Sequence, residues 1–385
     1  MRYRLGDICE IVSGSTPKTG VPEYWDGDIK WITPAELSDD SYIVNDSVRH
    51  ITELGVQKTG LTSFPEGTVL LSSRAPIGKV AIAGCEMYCN QGFKNLICSE
   101  KINNRYLFWF LKGNTEFLNS LGRGATFKEI SKQIVTGIEI NVPDMTAQIE
   151  AVKVLEKISG LIKLRRRELQ QLDELIKARF MEQFGDFKTN PRGLPITTID
   201  QLFDVGSSKR VFQKDWKDAG VPFYRAREIV KLSEQGYVDN ELFITEEMYE
   251  DYAAKYGVPS PGDIMVTGVG TLGICYLVKE TDRFYYKDGN TLCFHNRGGV
   301  NSRFVLECYK MPFIREQIES NAVGSTVGTY TIEKACRTRI FNPPMEEQLR
   351  FVAFVEQSDK SKVAVQEALD EAQLLLDSLM QQYFG

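Results

Sequence analysis

The pattern of apolar and polar positions divides the chain into regions of short strand-like runs and regions of long helical periodicity. This pair of regions occurs twice. Residues 1–142 contain short strand-like runs, such as Thr68–Leu71 and Val80–Ala83, separated by clusters of Gly, Pro, Ser and Asn. A helix is predicted near Asn104–Leu111, where aromatic residues and leucines recur at helical spacing. Residues 188–342 repeat this texture. Each region is therefore predicted to be a mixed α+β module with a β-rich core.

A long helix is predicted after each module. Between Thr146 and Phe184 there is a single glycine and no proline, which predicts a rod of about 58 Å at 1.5 Å per residue. Its apolar residues follow the 3-4-3-4 spacing of a two-helix coiled coil, and this phase returns 200 residues later, interrupted by Ser358 and Lys362. Because an isolated seam would expose apolar surface, we predict that the two helices pack antiparallel on each other; the alternative is that each packs on its own module. The predicted pairing positions are Leu155, Ile158, Ile162, Leu169, Leu172, Ile176, Val355, Val365, Leu369 and Leu376.

The two halves are related by an internal repeat. Five positions of the first half return 195 residues later, with Gly67, Val69, Leu70, Ile77 and Gly78 becoming Gly262, Ile264, Met265, Leu272 and Gly273. Seven more return 200 residues later, with Gly124, Thr126, Ile140, Pro143, Met145, Gln148 and Val152 becoming Gly324, Thr326, Ile340, Pro343, Met345, Gln348 and Val352. A looser match joins Trp31, Glu36 and Leu37 to Phe223, Glu228 and Ile229. The repeat is too long for a solenoid unit and indicates a duplicated module, which suits a target with two similar parts.

The predicted organisation therefore has four parts. They are a first module at 1–142, a central helix at 143–187, a second module at 188–342 and a C-terminal helix at 343–385.

Composition is that of an ordinary globular protein, with 385 residues of which 42% are hydrophobic and 25% charged. No apolar run approaches the roughly 20 residues that cross a bilayer, and the start is polar, so we expect a cytoplasmic protein without a membrane partner. The eight cysteines form no C-x2-C pair, and only His50 and His295 could assist them, so buried thiols are predicted and no metal site. The net charge of −6 requires that any DNA-binding surface gather its cations locally.

Catalytic motifs are weak. Gly268–Gly273 fits G-x-G-x-x-G, but the strand-like run Ile274–Val278 follows where a dinucleotide site needs a helix. Asn342-Pro343-Pro344 resembles the N-P-P-aromatic motif of amino-group methyltransferases, yet Met345 takes the aromatic position and the prolines suit a helix start. With two histidines, no P-loop and no convincing nucleophile, the chain is predicted to be a binding protein without a catalytic residue.

For nucleic acid, the useful residues are cationic, amide and hydroxyl side chains on Gly- and Thr-containing loops, which let the backbone approach phosphates. The basic run Lys163–Arg167 lies mid-helix, where it forms either a solvated face or a contact with the DNA backbone. The candidate DNA-binding residues are Thr16, Lys18, Thr33, Arg74, Lys79, Asn90, Gln91, Lys94, Lys209, Arg210, Arg225, Arg227, Thr271 and Asn290.

Seven segments of the sequence carry a family resemblance. They are Leu5–Ile8, Gly14–Lys18, Pro22–Trp25, Trp31–Leu37, Ser73–Gly78, Asn90–Leu96 and Pro343–Gln348. The first copy of the last segment, Pro143–Gln148, is degraded but in register. Taken in order, these segments resemble the specificity (S) subunits of type I restriction–modification systems along essentially the whole chain.

This resemblance implies two target recognition domains that each read half of a bipartite double-stranded DNA site, joined by antiparallel helices that set the spacer. It also implies two methyltransferase (M) subunits docked on the helices, and restriction (R) subunits beyond them. S-adenosylmethionine, ATP and Mg would belong to those partners, and this chain would use no cofactor. Two other classes stay open on the residues alone: a duplicated adaptor that binds protein or glycan, and a cofactor-using enzyme built on the Gly268 loop.

Overall fold

A computed structural model describes residues 1–74, 76–124, 128–320 and 328–385. The repeat positions Thr126, Gly324 and Thr326 lie outside the described residues. The chain divides into two compact units. Unit 1 comprises Met1–Arg167 with Val365–Gly385, and unit 2 comprises Glu168–Ala364.

The first module, with the helix that follows it, alternates short strands and helices. Its strands are β1 (Arg2–Arg4), β2 (Cys9–Ser13), β3 (Trp25–Ile32), β4 (Ile43–Val44), β5 (Arg49–Ile51), β6 (Val69–Ser73), β7 (Ile77–Ala83), β8 (Tyr88–Cys89), β9 (Lys94–Cys98) and β10 (Glu139–Asn141). Its helices are α1 (Leu5–Ile8), α2 (Glu53–Thr59), α3 (Asn104–Gly113), α4 (Thr115–Ser120), α5 (Lys132–Gly137) and the long α6 (Met145–Phe184), with 3₁₀ turns at Pro22–Tyr24 and Pro34–Glu36.

Within the described part of unit 1, the strands form a five-stranded sheet in the order β2-β9-β6-β7-β4 and a three-stranded sheet in the order β5-β3-β8. The predicted helix at Asn104 is α3; Asn103 caps it, and its buried face packs on the larger sheet. Strands β1 and β10 pair antiparallel, with Arg2 opposite Asn141, and bring the two ends of the module together.

The second module repeats the plan. Its strands are β11 (Ile196–Thr198), β12 (Phe203–Gly206), β13 (Val221–Tyr224), β14 (Phe243–Ile244), β15 (Ile264–Thr267), β16 (Cys275–Leu277), β17 (Tyr285–Tyr286), β18 (Thr291–Asn296) and β19 (Arg339–Phe341). Its helices are α7 (Ile199–Leu202), α8 (Ala226–Gln235), α9 (Glu246–Tyr256), α10 (Ser302–Tyr309), α11 (Pro312–Ser320), α12 (Ile332–Arg337) and the long α13 (Met345–Phe384), with a 3₁₀ turn at Gln213–Asp215.

In the described residues of unit 2, the sheets run β12-β18-β15-β16 and β14-β13-β17, and β11 pairs antiparallel with β19 as β1 does with β10. The loop Gly268–Gly273 leads into strand β16 rather than into a helix, as its sequence predicts. The predicted fold class, α+β with two similar β-rich modules and two long helices, is confirmed.

A repeated glutamine fixes the start of each long helix. Gln148 and Gln348 are both 1% exposed. The Oε1 of Gln148 accepts the backbone N–H of Asn103 at 2.8 Å, and that of Gln348 accepts the N–H of Asn301 at 2.9 Å. Their amides donate to the carbonyls of Pro143 and Pro343. Each glutamine therefore satisfies buried backbone groups at a helix start, which explains why it recurs in the repeat.

The long helices run antiparallel where both pass through unit 2. Going along α6, Asp173 accepts a hydrogen bond from Lys362 at 2.5 Å, Arg179 lies 5.7 Å from the ring of Phe354, and Gln183 bonds the carbonyl of Glu347 at 2.9 Å. As the residue numbers along α6 rise, the numbers of the contacting residues on α13 fall, so the two helices are antiparallel. In unit 1 the last turns of α13, including Phe384, pack on the core beside α3 and the start of α6.

All ten predicted pairing positions are buried or half-buried. Six are buried, namely Leu155, Ile158, Ile162, Ile176, Val355 and Val365. Four are half-buried, namely Leu169, Leu172, Leu369 and Leu376. The start of each helix also packs on its own module, and the last turns of each belong to the opposite unit. Among the described residues, no helix combines the length and the apolar character that a membrane crossing needs.

Candidate nucleic-acid interface

Three loops of the first module meet at the end of strand β6, and we call this meeting point the first junction (residues 14–18, 33–36, 73–74 and 90–93). The N–H of Ser15 bonds the carbonyl of Cys89 at 3.1 Å, and the N–H of Asn90 bonds that of Ile32 at 3.2 Å. The N–H of Ser73 donates to the carbonyl of Gly92 at 2.8 Å. These backbone bonds hold the polar loop residues in one frame.

Glycine at position 14 is required for this close approach. A Cβ at Gly14 would lie 1.9 Å from the carbonyl oxygen of Cys89, a distance that no side chain tolerates. The motif Gly14–Lys18 therefore begins with a glycine because the loop crosses the end of strand β8 in direct contact.

The second module builds the same frame, which we call the second junction (residues 207–210, 225–228, 268–271 and 287–290). The N–H of Lys287 bonds the carbonyl of Tyr224 at 2.8 Å, as Asn90 bonds Ile32. The N–H of Gly268 donates to the carbonyl of Asn290 at 2.8 Å, as Ser73 donates to Gly92. The loop after β12 also docks here, since the hydroxyl of Ser208 donates to the carbonyl of Tyr286 at 2.6 Å.

Both junctions contain the same carboxylate cap. Glu36 accepts the backbone N–H of Thr33 at 2.7 Å, and Glu228 accepts that of Arg225 at 2.9 Å. The loose match between these two regions of the sequence therefore marks one structural device, a glutamate that turns the chain back after strands β3 and β13.

At equivalent positions of this shared frame, the two junctions carry different side chains. Asn90 of the first corresponds to Lys287 of the second by its backbone bond, and Thr33 corresponds to Arg225 by its cap. The frame is common, and the polar groups that it presents are specific to each module.

In the first junction several cationic and amide groups are available to a ligand. Lys18 is exposed and Arg74 half-buried, and neither side chain forms a hydrogen bond or ion pair with another residue of the described ranges. The hydroxyl of Thr16 donates to Gln91, which is exposed. Thr33 hydrogen-bonds Glu36 through its hydroxyl as well as its N–H.

Two other candidates of the first module point inward. Lys94 is 7% exposed, and its ammonium bonds the hydroxyl of Ser73 and the carboxylate of Glu129, each at 3.3 Å. Lys79 is half-buried and donates to the carbonyl of Leu37. In this structure both lysines hold loops together, and the junction does not present them as free cations.

In the second junction the arginines are held by carboxylates. Arg210 pairs with Asp288 at 2.9 Å. Arg225 donates two side-chain bonds to the carboxylate of Glu228, at 2.9 and 3.1 Å. Arg227 is exposed and pairs both with Glu228 and with an exposed glutamate 14 residues further along the chain.

The remaining candidates of the second module lie at the rim. Lys209 is exposed, and its ammonium lies 5.4 Å from the centre of the Tyr256 ring. Thr271 is exposed, while Asn290 is half-buried with its backbone tied into the junction.

The residue Glu228 is 3% exposed, and the charge of its carboxyl group is balanced by two arginines. Burial alone would raise its pKa, but the hydrogen bonds from Arg225 and Arg227 outweigh burial and hold the pKa below its ordinary value. Glu228 therefore stays ionised and orients both guanidinium groups.

The sequence did not identify which carboxylates hold the junction residues in place. Glu36 holds Thr33, whereas Glu228, Asp288 and Glu129 hold candidate cations. Lys287 occupies the place of Asn90. Only the Glu36–Glu228 pair had a sequence signal, through the loose repeat. The others act across 35 or more residues, where spacing gives no clue.

Comparison with known proteins gives one consistent family. Residues 1–174 match the type I restriction modification DNA specificity domain. The type I restriction enzyme MjaIX specificity subunit of Methanocaldococcus jannaschii is 33% identical over 272 residues, which cover 66% of this chain and 62% of that protein. A putative type I restriction enzyme specificity subunit of Haemophilus influenzae is 26% identical over 275 residues, covering 70% of this chain and 68% of the relative. The match thus spans less than two thirds of the MjaIX subunit.

Two solved structures share the fold. The S subunit of a type I restriction–modification system from M. genitalium has a TM-score of 0.59 at 14% identity, covering 100% of this chain and 96% of that one. A chain from a structure of type I R-M complex assembly and conformational transition has a TM-score of 0.61 at 16% identity, covering 100% and 97%. The fold is therefore that of type I S subunits. Residues 1–174 belong to the type I restriction modification DNA specificity domain family, and the relatives that match more of the chain are specificity subunits of type I systems.

Proposed function

We propose that this chain reads a bipartite DNA site, with the first module recognising one half and the second module the other. The observation that carries the proposal is the pair of junctions: one backbone frame is built twice and presents different polar side chains each time. A shared frame fits two similar segments of duplex DNA, and different side chains fit different base sequences.

The charges of the two junctions support different modes of contact. Lys18 and Arg74 in the first junction, whose side chains pair with no other described residue, suit phosphates or the acceptor edge of guanine. In the second junction, Glu228 fixes the planar guanidinium of Arg225, and an arginine fixed in this way loses less side-chain entropy when it meets a base. These local cations reconcile DNA binding with a net charge of −6.

The proposal extends to partners. We infer that the long helices set the spacing between the half-sites and dock two M subunits, and that R subunits join the complex through them. S-adenosylmethionine, ATP and Mg would be used by those partners, and this chain would supply specificity without a cofactor or a catalytic residue of its own.

Module exchange tests the proposal. Replacing residues 188–342 by the second module of another family member should change one half of the methylated sequence and preserve the other. The measurement is mapping of adenine methylation in DNA exposed to the chimaera together with its M subunits. The reciprocal chimaera, with residues 1–142 replaced, is the matched control and should change only the opposite half.

Either of two results would overturn the proposal. If both halves of the site changed together, the modules would not read independently. If neither changed in an active complex, specificity would reside outside the modules.

Arg74 provides a test at the level of one side chain. If its guanidinium reads a base edge, Arg74→Lys keeps the charge but loses the two-pronged geometry, and one position of the first half-site should relax at a cost of about 1–3 kcal/mol. Arg74→Ala should relax the same position and bind more weakly. Affinities for single-base variants of the site, measured at one salt concentration, check this. Uniform weakening across all variants would assign Arg74 to a phosphate instead.

A further inference from the structure

Three potential metal ligands converge in the second module, and none of them belongs to the second junction. The Nδ1 of His295 lies 2.7 Å from Oδ2 of Asp263. The Sγ of Cys293 lies 3.8 Å from that nitrogen and 4.0 Å from the same carboxylate oxygen. Within the described residues, this is the one group of three such side chains whose ligand atoms all lie within 4.8 Å of one another.

The triangle of ligand atoms is close to one face of a tetrahedral zinc site. With Zn–N, Zn–O and Zn–S bonds of about 2.0 to 2.3 Å, neighbouring ligand atoms lie roughly 3.3–3.6 Å apart. The two edges that include Cys293 exceed this range by a few tenths of an ångström. The edge between Asp263 and His295 is shorter, because the two groups share a hydrogen bond in the absence of an ion. Small side-chain rotations convert one arrangement into the other.

The scaffold of these three residues is rigid. Cys293 and His295 are two apart on strand β18, so they face the same side of the sheet, and Asp263 precedes the neighbouring strand β15. The carboxylate of Asp263 also accepts the backbone N–H groups of Ser260 and Asn296, at 2.9 and 3.2 Å. Such outer hydrogen bonds orient a carboxylate ligand.

The group of three side chains is exposed to solvent on one side, at His295. Asp263 is 6% exposed and Cys293 is fully buried, whereas the side chain of His295 is 38% exposed. An ion bound by the three would therefore keep a fourth position for water on the side of His295. Binding forms the S–metal bond as the proton of the Cys293 thiol leaves to solvent, with the proton of His295 on its Nε2.

We propose that Asp263, Cys293 and His295 bind one zinc-class divalent cation, with water as fourth ligand, and thereby tie strand β15 to β18. One sulfur, one imidazole nitrogen and one carboxylate oxygen form a mixed set typical of zinc. The sequence alone predicted no metal site, although His295 was considered as a partner for the cysteines. Asp263 lies 30 residues before Cys293, and the sequence does not show that the fold brings Asp263 beside Cys293 and His295.

The first module provides an internal comparison. Strands β6 and β9 pair Val69 with Leu96, as β15 and β18 pair Ile264 with Phe294. This register puts Thr68, Asn95 and Ile97 at the places of the three ligands. A threonine, an amide and an isoleucine do not make a zinc site, so the expected stoichiometry is one ion per chain.

Cobalt binding tests the proposal on the full-length, reduced chain. After treatment with a chelator, titration with Co²⁺ should give one equivalent bound, with thiolate-to-cobalt charge-transfer absorption that Zn²⁺ then removes. Cys293→Ser should abolish that absorption. His295→Gln, at a half-exposed position that should fold normally, should lower Co²⁺ affinity at least about tenfold, the lower end of losses seen even for outer-shell partners.

Cys275→Ser is the matched control. Cys275 lies in the same sheet on β16, outside the three-residue group, with its Sγ 3.6 Å from the carbonyl of Gly273. This variant should bind Co²⁺ as the parent chain does. The proposal fails if the parent chain shows no thiolate-to-cobalt absorption at saturating Co²⁺, or if Cys293→Ser and His295→Gln bind as the parent does.

Discussion

Phe180→Ala is expected to destabilise unit 2 by about 3–5 kcal/mol, the range for removal of a fully buried phenylalanine. Phe180 lies in the last turns of α6 and is 0% exposed. Its ring centre lies 5.0 Å from that of Phe184 and 5.5 Å from that of Phe351 on α13. Three more rings, those of Phe304, Phe313 and Phe341, lie between 6.2 and 6.3 Å away. Alanine would leave a cavity between the helix pair and the module core.

Hydrogen–deuterium exchange of the full chain, read peptide by peptide, measures this loss locally. Peptides from α10 and from the first turns of α13 should lose protection, and peptides from the first module should keep theirs. Met181→Ala is the control, because Met181 is the next residue of the same helix and is 45% exposed, so its change should stay within about 0.5 kcal/mol. Equal effects of the two substitutions would mean that the aromatic cluster does not hold the helix end.

This cluster shows how far the sequence could predict the fold. Phe184-Gly185 recurs in the sequence as Phe384-Gly385, and in unit 1 the ring of Phe384 lies 5.0 Å from that of Tyr106. Periodicity alone predicted long helices close to Met145–Phe184 and Met345–Phe384. It could not predict which core the last turns enter, because that depends on tertiary contacts.

The sequence indicated the loops of the candidate interface, but not which residues their side chains contact. Gly- and Thr-rich segments located the junctions, since such residues permit close backbone approach. Lys94 resembled Lys18 in sequence, yet Lys94 is buried against Glu129 and Lys18 is exposed. Contacts between residues that are distant in sequence decide whether a charged side chain is exposed or forms an internal ion pair. A single sequence does not reveal those contacts.

Lengthening both long helices should lengthen the spacer between the half-sites. The two compact units divide at Arg167–Glu168 and again at Ala364–Val365, and α6 and α13 are each continuous across these points. Inserting four helix-forming residues at each point adds about 6 Å at 1.5 Å per residue. At roughly 3.4 Å of rise per base pair, the recognised spacer should grow by one or two base pairs. Methylation mapping with the M subunits reads the new spacer directly.

Four residues are slightly more than one helical turn, so the pairing face is nearly kept, although the insertion should unwind the helix pair locally. The control inserts four residues into α6 alone. This shifts its apolar positions against those of α13 and should reduce activity without producing a defined longer spacer. A doubly lengthened chain that folds, methylates DNA and keeps the original spacer would show that the helices do not set the distance. The M subunits would then be the better explanation, because they are the other components that the proposal docks on the long helices.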